Sequence, residues 1–98
     1  MFLLNNVTAP VTGTSVRVNV VDRTFQAIAT GAGAITASVN IEVSNDGINF
    51  LVLGTISLSG TNTATDGLAS SAKWNYVRAT LTAITGTSAQ VSTIMGAQ

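Results

Sequence analysis

Apolar and polar residues alternate one for one along most of this chain, and Gly, Asn and Asp punctuate the alternation. No stretch keeps a helical period. Together these observations predict an all-β fold: a single-domain antiparallel β-sandwich, jelly-roll-like, of about seven to eight short strands. Strands alternating with long helical patterns are missing, which excludes the α/β classes. The 98 residues have the length of one domain, with 11–98 as the sandwich and 1–10 as an N-terminal arm or edge strand.

The opening segment carries Phe2, Leu3 and Leu4 before Asn5-Asn6 and Ala9-Pro10 interrupt it. Untethered termini are normally polar, so three large apolar side chains there require burial. Two readings stand: an edge strand of the same domain, or an arm that adds a strand to a neighbouring subunit through backbone hydrogen bonds.

Val16-Arg17-Val18-Asn19-Val20 alternates and is broken by Asp22-Arg23, after which 24–30 forms a further strand. Loop residues follow at 31–34. The cleanest strand is Ile35 to Val43, with every odd position apolar and every even one polar, so one face enters a core. Ser44-Asn45-Asp46-Gly47 is its turn, since Asn and Asp tolerate left-handed geometry and Gly adopts positive φ freely. A hairpin into Ile48–Leu53 follows.

Residues 55–59 form a short strand, 60–67 a polar loop, and 68–73 one helical turn. Trp74 to Ile84 is the second clean strand, placing Val77, Ala79, Leu81 and Ala83 opposite Trp74, Tyr76, Arg78, Thr80 and Thr82. A loop at 85–88 leads into a last strand, 89–95. Thr-Gly-Thr-Ser occurs at 12–15 and again at 85–88, one turn solution used twice, with no matching strands to make a true repeat.

Charged residues make up 8% of the chain, against roughly a quarter in ordinary domains. Arg17, Arg23, Lys73 and Arg78 balance Asp22, Glu42, Asp46 and Asp66. Four scattered cations cannot neutralise a phosphate backbone, so no nucleic-acid partner is expected. No stretch approaches the roughly 20 apolar residues of a membrane span. Residues 1–4 are too short for a signal sequence and lack a basic start, which predicts a chain made and kept in a cytoplasm.

Histidine and cysteine are absent. The commonest bases, nucleophiles and metal ligands are therefore missing, no Gly-x-Ser-x-Gly elbow replaces them, and the spacing pairs no two acids. The chain is expected not to be an enzyme and to carry no cofactor. Asn45-Asp46-Gly47 and Thr65-Asp66-Gly67 each set an acid beside glycine, but neither has the ligand spacing of a calcium loop. Turns are the expectation, with no metal.

The aromatic residues are Phe2, Phe25, Phe50, Trp74 and Tyr76. Trp74 and Tyr76 share a predicted strand face with Arg78. That face is either covered by a loop or left as an aromatic patch that docks a sugar ring or a protein. The candidate protein-contact residues are thus Phe2, Leu3, Leu4, Trp74 and Tyr76.

Two resemblances rest on these residues. Ser44-Asn45-Asp46-Gly47-Ile48-Asn49-Phe50, then Leu53-Gly54-Thr55 and Trp74-Asn75-Tyr76-Val77-Arg78-Ala79, resembles a pattern of discoidin-like, galactose-binding jelly rolls over roughly residues 35 to 95. The chain is shorter than such domains and lacks their paired cysteines. In size and texture it is more similar to the small capsid decoration (cement) proteins of tailed bacteriophages. Its charge-poor Ser, Thr, Ala, Gly and Asn composition and its run from Trp74 to Ser88 carry that likeness.

The second resemblance implies a homo-oligomer, dimer or trimer, that fastens the major capsid protein lattice from the outer surface of the virion. The first implies a sugar-binding module of a tail fibre or spike, with Trp74 or Tyr76 stacking on a sugar and Arg78 or Asp46 bonding its hydroxyls. A tail, connector or neck component shares the same physics.

Overall fold

A computed structural model describes residues 2–17, 23–70 and 74–97. Among the described residues the chain is all-β and forms one antiparallel sheet of six strands. Three are short: β1 (Phe2–Val7), β2 (Val11–Thr12) and β3 (Val16–Arg17). Three are long: β4 (Arg23–Ser44), β5 (Leu51–Ser70) and β6 (Tyr76–Ala97). The order is β1-β6-β4-β5, and β2 and β3 also pair with β6.

The long strands correct the expectation of seven to eight short ones. Residues 31–34 lie inside β4, 60–67 inside β5 and 85–88 inside β6. The glycines and hydroxyl residues that looked like loops bend a strand without ending its ladder. Residues 68–70, expected to begin a helical turn, continue β5. The rest of that turn and the expected strand beyond Arg17 fall outside the described residues. Trp74 precedes β6 instead of opening it.

The bend has a definite backbone origin. Gly33 (φ 84°) in β4, Asn62 (φ 64°) in β5, and Gly86 (φ 131°) with Ser88 (φ 55°) in β6 all adopt positive φ. Pairing shifts register at the same level, between Thr30 and Ala34 toward β5 and across Thr30, Ala32 and Thr36 toward β6. Bulges of this kind leave extra residues on one strand and kink it. Gly33 N–H also donates to Asn62 Oδ1 at 2.8 Å, tying two of the bent strands together.

A straight strand of 22 residues would span about 70 Å, yet the longest dimension of the molecule is 39 Å. The sheet is creased, and its halves meet. A Cβ placed on Gly54, in one half, would lie 3.0 Å from Cδ2 of Leu68 in the other. Gly13 is likewise wedged, its Cβ position 2.7 Å from the Leu3 carbonyl and 2.8 Å from that of Ala79.

The same face of the sheet lines the inside of both halves. Phe25, Ala27 and Ala29 are buried before the crease; Ile35, Ala37, Val39, Ile41 and Val43 are buried after it. The alternation read along 35–43 and 77–81 is therefore the core-facing set, completed by Ile56, Leu58, Ala89, Val91 and Met95 in one cluster. β1 closes one edge. Its register slips between Phe2 and Leu4, which lets the adjacent Leu3 and Leu4 both turn inward.

Gly86 tests the crease most directly, because its Cβ position lies 2.7 Å from Cγ2 of Ile35 and 3.0 Å from the Ala34 carbonyl. Gly86→Ala is expected to lower the unfolding free energy by about 1–3 kcal/mol, measured by urea denaturation. Gly33→Ala, strained in φ but with open space around it, should cost less.

Candidate interaction surface

The outward face of the sheet is built from rows of hydroxyls and amides. Across β5, β4 and β6 the register aligns Thr55 with Asn40 and Thr80, and Ser59 with Thr36 and Thr85. Thr55 donates to Asn40 at 2.8 Å, Thr36 and Thr85 share a hydroxyl–hydroxyl bond, and Gln26 donates to Thr65 at 3.1 Å. Paired with one another, these groups give the outward face of each half little charge to desolvate.

One ion pair interrupts the rows and cancels itself. Arg78 Nε donates to Glu42 Oε1 at 2.6 Å, and the Thr80 hydroxyl donates to the same oxygen at 3.0 Å. The Arg78 guanidinium lies 3.9 Å from the centre of the Phe50 ring, a cation–π geometry. Strand pairing brings Glu42 and Arg78 opposite each other. Hairpin logic alone missed this: the two belong to strands separated in sequence by the whole of β5, and Phe50 follows the turn.

The Ser44–Asn49 turn is held by its own side chains. Asp46 Oδ1 accepts from the backbone N–H groups of Ile48 and Asn49, each at 2.9 Å, and from the Ser44 hydroxyl at 2.7 Å. Asp46 Oδ2 accepts from the Asn49 side-chain amide at 2.9 Å. Ser44 Oγ in turn accepts from the N–H groups of Asp46 and Gly47. The hairpin expected here is present, with its second strand starting at Leu51 instead of Ile48, and Asp46 is its staple. The donated bonds, that of Ile48 N–H first, hold its carboxyl well below the usual aspartate range.

The sequence-selected contact residues divide. Leu3 and Leu4 are buried in the chain's own core, while Phe2 is 56% exposed opposite Ile94. Trp74 packs against the core cluster and its indole Nε1 is shielded from solvent, while its carbonyl accepts from Arg23 at 2.7 Å. Tyr76 is half-buried, its ring lying 3.2 Å from the Cβ position of Gly47. The structure therefore does not bring Trp74 and Tyr76 together as one open aromatic patch. The large apolar exposure lies elsewhere, at Ile48 (81%), Leu51 (49%) and Val52 (50%), with Val11 on the opposite edge.

At the crease, Thr8, Ile84, Thr85, Gly86, Ser88, Ala89 and Gln90 line an open groove of about 430 Å³. Its lining supplies hydroxyls and amides, groups suited to binding and not to proton transfer at neutral pH. Among the described residues no three acids cluster to hold a metal ion. No protein-family model, curated protein or solved structure matches this chain.

Because the folded-state pKa of Asp46 is depressed, its contribution to stability is complete above the ordinary value of about 3.9 and is lost as pH falls through the lower folded value. Asp46→Ala should therefore be less stable than the parent at neutral pH. The gap between the two should narrow below about pH 4, measured by thermal unfolding across the acid range.

Proposed function

We propose that this chain is a structural virion protein, a capsid decoration protein that binds the outer surface of a major capsid protein lattice and stabilises the head. One observation carries the reading: the outward face over residues 36–42 of β4 is an array of paired hydroxyls and amides whose ion pair is internally neutral. Burying such a face against another protein strips few charges of water, so it loses little on being covered.

On this reading the creased sheet serves as a two-layer, jelly-roll-like block, compact enough to repeat over a lattice. Repetition matters energetically. A weak, charge-poor contact gains affinity when several copies engage one shell together. The sugar-binding alternative finds less support, since Trp74 is turned into the core, Tyr76 covers Gly47, and Arg78 caps the ring of Phe50.

Purified protein mixed with assembled shells of the cognate major capsid protein should co-sediment saturably and raise the temperature at which the shells rupture. Density should lie at repeated outer lattice positions, with the hydroxyl face of β4 toward the shell. Failure to co-sediment at any ratio, together with binding to a surface polysaccharide, would replace this reading with the sugar-binding one.

A further inference from the structure

The two edges of the sheet are built differently. On one side the edge is broken into β1, β2 and β3, with Pro10 between the first two, Asn6 in the left-handed region at φ 50°, and Arg17 at its end. Short strands, proline and charge are the devices that keep an edge from pairing with another chain. On the other side β5 is the last strand in the sheet order, its pairing with β4 shifted once between Val52 and Gly54, and no described strand pairs with its outer edge. Residues 51–59 (Leu-Val-Leu-Gly-Thr-Ile-Ser-Leu-Ser) contain no charge and no proline. Beyond the one register shift at Val52–Gly54, this edge lacks the short strands, proline and charge seen opposite.

We propose that the outer edge of β5 over residues 51–59 is a self-association seam, to which the same strand of a second copy adds antiparallel about a two-fold axis. Three features select a second copy as the occupant. The chain has zero formal net charge, so two copies meet without long-range repulsion. The seam is uncharged, so juxtaposing identical strands brings no like charges together.

The third feature is apolar exposure. Ile48, Leu51 and Val52 cluster at the entry to this strand, and pairing along the seam shelters them. Under a two-fold axis the interface is self-complementary. Ile56 and Leu58 stay on the apolar side of the extended sheet, and Ser57 and Ser59 on the hydroxyl side. The inference does not rest on the virion reading, because the seam forms with or without a shell.

Sedimentation equilibrium of the purified full chain provides the test, beside Ser57→Lys, Val52→Lys and a control, Thr12→Lys, on the opposite edge. The exposed positions leave the fold intact, checked by circular dichroism. The parent should dimerise, each β5 variant should associate at least about tenfold more weakly, and Thr12→Lys should match the parent. Amides of 51–59 should exchange more slowly in the dimer than in the Ser57→Lys monomer. A parent that stays monomeric throughout its soluble range overturns the proposal. So does an oligomer that both β5 variants leave unchanged, or one whose 51–59 amides gain no protection. Shell binding is scored separately, so loss of either reading leaves the other standing.

Discussion

A crease made of positive-φ residues on three neighbouring strands is the constraint on which the rest of this structure depends. Gly33, Asn62 and Gly86 with Ser88 lie at one level of the sheet. Each takes a backbone conformation that glycine reaches freely and asparagine tolerates. Because all three long strands turn together, the ladder survives the turn. One apolar face closes on itself, burying Val39 and Ile41 on one side and Phe25 and Val91 on the other. A flat sheet of this length would leave that face in water. The crease turns a single sheet into a body with an inside.

The same fold decides what the outside can do. Every residue directed outward from β4 between Thr36 and Glu42 is polar, and most of its neighbours across β5 and β6 are hydroxyl residues, with Ala83 beside Ser38 and Val52 and Arg78 flanking Glu42. Charge is used sparingly and locally. Asp46 spends its oxygens on the turn that starts β5, while Glu42 and Arg78 neutralise one another above Phe50. What remains is a surface whose hydrogen bonds are largely made within itself.

Local pattern made much of this legible before any coordinates. Alternation along 35–43 identified a strand and its buried face, and Asn45-Asp46-Gly47 identified the hairpin, because both signals involve residues close in sequence. The segments 31–34, 60–67 and 85–88 misled. Gly, Asn and Thr serve equally at the end of a strand and at a bulge within one, and only the register of the neighbouring strands separates the two. For the face shared by Trp74 and Tyr76 the sequence left cover and exposure both open, and in the structure Trp74 packs against the core while Tyr76 lies against Gly47. Trp74 was placed on the outer face by counting back from Val77, but the chain leaves the ladder before Tyr76 and the count no longer holds. Leu3 and Leu4 show the same limit, since adjacent buried residues need the slip in β1 pairing that no alternation reveals.

Magnetisation transfer between the Leu68 methyl groups and the Gly54 α-protons tests the crease most directly. These residues share one strand and are fourteen positions apart, so a straight β5 would hold them about 45 Å from each other. The account predicts a strong cross-peak, alongside unbroken β4–β6 contacts on both sides of the bend. No cross-peak, with those ladder contacts intact, would mean a sheet that stays open and a core that has to be completed by another chain.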